Sequence, residues 1–267
     1  MESYCHLWWP GDCDAGDPAS QTNVSKTFQI VDECTGRANP SETLCVGNMP
    51  TALKVRDGDK VYSLDTGSSM AVLLNCKNGP LSNTTIPIHY GSETGVNKVL
   101  LENDELLGES FQPLCNISGL SKNHQDGLIG LSPHMTGQPG SGQWRVDDNL
   151  HSYMNQVSMG NRRVVVDKTK NTVCIGSECV RPEGLTESVI TPLNATVMLP
   201  SFSKDGKKYV LDTGSTNSIG YPLGNGERFC IIGNHEITAL DVDYDSSRIA
   251  YTVDMQNVDR LCKHDIP

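Results

Sequence analysis

The chain has 267 residues, with 32 acidic against 21 basic side chains and a net charge of −11 at pH 7. That surplus of negative charge argues against nucleic acid as a partner, because holding phosphates needs a basic face. No stretch is long and apolar enough to span a bilayer, which takes roughly 20 residues, so no membrane span is predicted.

The pattern is mainly β: short runs rich in Val, Ile, Leu and Tyr alternate with Gly, Pro, Asn and Asp turns. Residues 1–44 precede any regular pattern and hold Cys5, Cys13 and Cys34. The apolar run Val61-Tyr62-Ser63-Leu64 leads into Asp65-Thr66-Gly67-Ser68, and Ile88-His89-Tyr90-Gly91-Ser92-Glu93-Thr94-Gly95 reads as a hairpin. After Asp126-Gly127-Leu128-Ile129-Gly130-Leu131 comes a Gly- and Pro-rich surface loop at 136–142. One helix is predicted, capped by Asp147 or Asp148, with Val146, Leu150, Met154 and Val157 near helical spacing through Gly160. The run 162–166 should enter a sheet that joins two halves of the molecule. Lys208-Tyr209-Val210-Leu211 leads into Asp212-Thr213-Gly214-Ser215, followed by Cys230-Ile231-Ile232-Gly233 and two closing strands at 239–244 and 248–252.

Ten cysteines are spread along the length, without zinc-ribbon spacing. Disulfides in an oxidising compartment are the better reading, with Cys174 and Cys179 a plausible short loop. The sequons at Asn23, Asn83, Asn116 and Asn194 agree as glycosylation candidates, although such tripeptides also arise by chance. A secreted or secretory-pathway protein is expected. Residues 1–30 carry Asp12, Asp14 and Asp17 and no continuous apolar run, so they do not read as a signal peptide; the signal of a secreted protein would lie upstream or have been removed.

The pentapeptide Leu64-Asp65-Thr66-Gly67-Ser68 recurs as Leu211-Asp212-Thr213-Gly214-Ser215, 147 residues later. A single Asp-Thr-Gly is ordinary turn chemistry. Two copies, each ending a strand, suggest two similar half-structures that each supply one carboxylate to a shared site.

In these motifs and their order, from about residue 45 to residue 253, the chain resembles the pepsin-like, two-lobed aspartic proteases. The resemblance implies a mainly β fold with a cleft between an N-terminal lobe over 45–160, holding the first Asp-Thr-Gly and a flap, and a C-terminal lobe over 161–267. Residues 1–44 are then a cysteine-containing extension that adds a strand or covers the first lobe. A prosegment is the alternative, but the family's prosegments are typically basic, and this stretch has only Lys26 and Arg37.

By the same resemblance Asp65 and Asp212 are the catalytic pair. Thr66 and Thr213 bond across to the opposite loop, Gly67 and Gly214 permit the tight turns, and Ser68 and Ser215 donate to the outer carboxylate oxygens. Tyr90, with Gly91, would meet substrate from the flap. The implied activity is aspartic endopeptidase cleavage of peptides or proteins, in acid, by a water activated between the carboxylates. No metal or organic cofactor is implied. A catalytically weak or inert binding or structural protein with the same fold is the alternative. Two departures stand out. Val72 occupies the place of a Trp in most relatives. The interval from Asp212 to Gly233 is far shorter than that from Asp65 to Gly130, which implies a reduced second lobe.

Overall fold

A computed structural model describes residues 25–31, 52–68, 71–74, 76, 79–83, 85–90, 93–102, 104–111, 113–118, 126–132, 163–191, 199–222, 228–244 and 246–263. The predicted helix through Gly160, the loop at 136–142, Gly91, the sequons at Asn23 and Asn194, and Cys5, Cys13, Cys34 and Cys45 lie outside these residues.

The short β-branched and aromatic runs become strands, as their composition favours. In the first half they are β1 (Lys26–Ile30), β2 (Lys54–Asp57), β3 (Lys60–Asp65), β4 (Ala71–Leu73), β5 (Ile86–Tyr90), β6 (Glu93–Val99), β7 (Asp104–Leu106), β8 (Glu109–Phe111), β9 (Leu114–Ser118) and β10 (Gly127–Gly130). The second half holds β11 (Arg163–Asp167), β12 (Thr172–Ile175), β13 (Thr186–Val189), β14 (Ser201–Lys204), β15 (Lys207–Asp212), β16 (Ile219–Pro222), β17 (Arg228–Gly233), β18 (Ile237–Asp243) and β19 (Arg248–Val253). A helix, α1 (Met255–Leu261), follows, capped by the Asp254 carboxylate, which accepts the Asn257 N–H at 3.0 Å.

The two halves repeat one strand arrangement. In the first, β3 pairs antiparallel with β2 and parallel with β10, and β10 pairs antiparallel with β4. In the second, β15 pairs antiparallel with β14 and parallel with β17, and β17 pairs antiparallel with β16. Inserting the later strand between two earlier ones places Gly130 opposite Asp65 and Gly233 opposite Asp212. These inserted positions explain why β3 reads as an apolar run and not as an alternation: it is buried on both faces. The β14–β15 hairpin turns through Asp205 and Gly206, at φ 52 and 74, the left-handed pair that a two-residue turn demands.

A 13-stranded sheet runs through both halves in the order β13-β19-β18-β11-β12-β1-β2-β3-β10-β4-β9-β6-β5. From Arg163 onward the run at 162–166 enters this sheet, as β11, and the closing strands are β18 and β19. Strand β1 lies between β12 and β2, with Lys26 opposite Ile175 and Ile30 opposite Val55. The central strands β2, β11 and β18 of this sheet bury Val55, Val164, Val166, Leu240 and Val242 completely. On β18, the buried Asp241 carboxylate receives Arg163 and Arg181, both at 2.9 Å. Burial alone would raise its pKa, but the two guanidinium groups hold it below the usual carboxylate range.

The expected flap hairpin is β5–β6, paired from Ile86–Asn97 to Tyr90–Glu93. Val72 is buried in β4 and offers no hydrogen-bonding group there. Among the described residues three disulfides close loops: Cys76–Cys115, Cys174–Cys179 as expected, and Cys230–Cys262, which ties the end of α1 to β17. In the second half the core includes an aromatic stack among aliphatic side chains. Phe202 stacks on Tyr209 with ring centroids 5.2 Å apart and on Tyr251 at 4.2 Å. Phe202→Ala should therefore cost about 3–5 kcal/mol, by lost transfer energy plus the cavity left between two rings. A chemical denaturation midpoint unmoved by this change would contradict the packing.

Candidate active site

Each Asp-Thr-Gly begins where its strand leaves the sheet. The tight turn brings the Gly67 N–H back to Asp65 Oδ1 at 2.7 Å and the Gly214 N–H back to Asp212 Oδ1 at 2.8 Å. Asp212 also accepts the Ser215 N–H on Oδ1 at 3.2 Å and the Ser215 hydroxyl on Oδ2 at 2.8 Å. Ser68 is buried and donates its N–H to the Asp65 carbonyl at 3.4 Å.

The threonines lock the two turns together. Thr66 Oγ1 donates to the Leu211 carbonyl at 2.7 Å, and Thr213 Oγ1 donates to the Leu64 carbonyl at 2.6 Å. Each hydroxyl oxygen in turn accepts the other threonine's N–H, at 3.0 and 3.1 Å. Both threonines are fully buried. Leu53 adds another crossing bond, its N–H donating to the Thr213 carbonyl at 2.8 Å.

This lock sets the two carboxyl groups against each other, side chain to side chain within hydrogen-bonding range. The glycines make room for it. A Cβ on Gly67 would stand 2.6 Å from Asp212 Cγ, and one on Gly214 would overlap the Asp65 carboxyl. Glycine is required at both places because the opposite carboxyl fills the space a side chain would take.

Asp65 is 7% exposed. Burial first, then the Asp212 charge and the hydrogen bond between the carboxyls, raise its pKa well above the usual range; the Gly67 and Gly214 N–H groups offset this in part. Two carboxylates this close cannot both ionise cheaply, so the pair retains one proton into conditions where isolated carboxyls have lost theirs.

Sequence motifs do not single out the groups behind the two turns. Ser132, just past β10, donates its hydroxyl to the Thr66 carbonyl and lies 3.2 Å from the Tyr244 hydroxyl. Behind the second turn, Ser218 donates its N–H and hydroxyl to Glu236 Oε2 at 2.9 and 2.6 Å, and accepts the Gly233 N–H at 3.1 Å. Lys168 donates to the Asn234 carbonyl. Burial lowers the Lys168 pKa to about 8, with the Glu236 charge working in the opposite direction. These partners are far apart in sequence, and no local spacing marks them.

The remaining candidates are dispersed. Tyr90 ends β5 at the tip of the hairpin. Among the sequons, Asn83 is exposed, whereas Asn116 on β9 is half-buried and donates its amide to Asn97 Oδ1 at 3.0 Å. Among the described residues no group of three or more His, Cys, Asp or Glu could hold a metal ion, and no helix is long and apolar enough to cross a membrane.

No family model matches the chain, and no curated protein matches it in sequence. In structure it is similar to the aspartic proteinase from Irpex lacteus, with a TM-score of 0.55 and 12% identity over 86% of this chain and 97% of that one. The fold is that of a pepsin-like aspartic proteinase. At 12% identity the likeness is one of architecture. The pepsin-like fold nevertheless explains the doubled strand arrangement, since each half carries its own copy of the strand that ends in Asp.

The raised pKa of Asp65 has a consequence for stability. A carboxyl whose folded pKa lies above its unfolded value stabilises the fold fully below the unfolded value, near 4, and loses that contribution as pH rises through the folded value. Asp65→Asn, which imitates the protonated state, should raise the melting temperature at neutral pH and bring no gain in acid. Thermal melts across pH measure the difference; a gain that grows as pH falls would reverse the inferred sign.

Proposed function

We propose that this chain is an aspartic endopeptidase acting on extended peptides or proteins. The observation that carries the reading is the meeting of the Asp65 and Asp212 carboxyl groups, each in the space left by the other turn's glycine. The two carboxyl groups share one proton, so one acts as base and the other as acid. The ionised carboxylate takes a proton from water as the water oxygen bonds to the peptide carbonyl carbon, and the protonated carboxyl gives its proton to the carbonyl oxygen. The tetrahedral intermediate collapses when the proton taken from water passes on to the amide nitrogen, the C–N bond breaks and a hydroxyl proton of the intermediate returns to the other carboxylate. The products are a carboxylic acid and an amine.

The β5–β6 hairpin suits a flap whose Tyr90 and Gly91 meet the substrate beside the scissile bond. The shorter second half supplies less of the groove, so selectivity should come mainly from the first half. That same shortness is the observation favouring a second reading, a binding protein that has kept the fold. Against it stand both intact turns and the closed threonine lock.

Cleavage of a peptide library across pH, with and without a transition-state-mimicking inhibitor, tests the activity. Turnover should fall as pH rises and the pair loses its remaining proton. Asp65→Asn and Asp212→Asn should each lower turnover about 10²–10⁴-fold, the contribution of a positioned acid or base. Retained turnover in either variant would count against a shared pair.

Three disulfides support a place in the secretory pathway or outside the cell. On that reading the exposed Asn83 carries a glycan. Mass analysis of protein made through a eukaryotic secretory route should show a loss of one glycan in Asn83→Gln; an unchanged mass would remove Asn83 from the sites.

A further inference from the structure

We propose that Glu236 is a positioning residue for the Asp212 turn, acting through Ser218 and balanced by Lys168; this rests on Asp65 and Asp212 being the reacting pair. Glu236 is 1% exposed, in the turn between β17 and β18. A charge so deeply buried is tolerated only when it is paired and hydrogen-bonded. Its Oε2 takes both donors of Ser218, and its Oε1 takes the Asn257 amide of α1 at 2.9 Å.

The polarity of this arrangement matters. A serine hydroxyl has one proton to give. A carboxylate only accepts, so it draws that proton toward itself and leaves the Ser218 lone pairs facing the Gly233 N–H. Gly233 is the register partner of Asp212 in the β15–β17 pair. There is no space for a looser fit: a Cβ on Gly233 would lie 2.5 Å from the Asn217 backbone carbon.

A second chain of bonds reaches the same carboxylate from the other side. Lys168 holds the Asn234 carbonyl, the Asn234 N–H donates to the Ser215 carbonyl at 2.7 Å, and the Ser215 hydroxyl holds Asp212 Oδ2. The buried Glu236 and the half-buried Lys168, whose charges act on one another, thus send bonds to both flanks of Asp212. The Asp65 turn is braced by Ser132 and Tyr244.

A merely structural glutamate would change overall stability and leave the carboxyl pair alone. Thermal melts of the wild type, Asp65→Asn, Glu236→Ala and the double variant across pH separate these roles without any need for peptide cleavage. In the wild type, Asp65→Asn should raise the melting temperature at neutral pH because Asp65 is buried and Asp212 is held against it. In the Glu236→Ala background that gain should shrink by the part Asp212 supplies, because Asp212 is no longer held there, and the part due to burial should remain. Glu236→Gln, which keeps an oxygen for Ser218, should restore most of it. Should Glu236→Ala fail to fold, Ser218→Ala carries the same comparison by removing a single hydroxyl. An undiminished gain in these backgrounds overturns the positioning role, and no gain in the wild type overturns the paired site along with it. A diminished gain in a protein that cleaves no peptide upholds positioning and sinks the protease reading. In a protein that does cleave, Glu236→Ala should lower kcat on the order of 10²-fold with KM little changed, as expected for a misplaced reacting group. A rise in KM at unchanged kcat would overturn the proposal.

Discussion

Two carboxyl groups, one buried and one half-buried, are held against one another, and that constraint organises the rest of the molecule. Such a pair resists formation twice, through desolvation and through like charge. It is held by a closed set of bonds: each threonine hydroxyl donates into the opposite strand and accepts from the opposite turn. Neither half can keep its turn without the other. The absence of a side chain at Gly67 and Gly214 belongs to the same constraint, because the space is occupied from across the site.

The second half departs from the first in what stands behind its turn. Behind Asp65 are a serine and a tyrosine hydroxyl; behind Asp212 are a buried carboxylate and a half-buried lysine. Charged pairs make stronger, more directional hydrogen bonds than neutral ones but lose more if one member is removed. The half whose Asp ends a strand of the four-stranded sheet is the one so braced. Its covalent support is similar in kind, with Cys230–Cys262 drawing α1 onto β17.

Much of this was legible in the residues. The repeated pentapeptide announces two copies of a strand ending in Asp, and the apolar-apolar-Gly segments announce the strands inserted beside them. Both are signals confined to a few neighbouring residues. The interval from Asp212 to Gly233 is visibly short in the sequence, and among the described residues the sheet that carries Asp212 has four strands. The groups behind the turns were not legible. Glu236 lies in a turn whose local sequence reads as an exposed polar corner, and only the folding of α1 and Ser218 over it makes it buried. Tyr244 reads as the end of an ordinary strand, and its contact with Ser132 spans 112 residues of sequence. The pairing of Lys26 with Ile175 has no sequence signature, since any half-polar strand of suitable length could take the place of β1.

That placement of β1 bears on the order in which the protein can be made. The strand is made before every other described strand, yet one of its two edges must wait for β12. Ser25, beside β1, and Glu178, just past β12, are hydrogen-bonded across 153 residues. Pairings this distant in sequence form slowly, because the chain must close a long loop before any contact rewards it. The first half can therefore condense around β3 and β10 while the chain is still growing, but it carries an open sheet edge until the second half arrives. During that interval the nascent chain is exposed to mispairing with its neighbours.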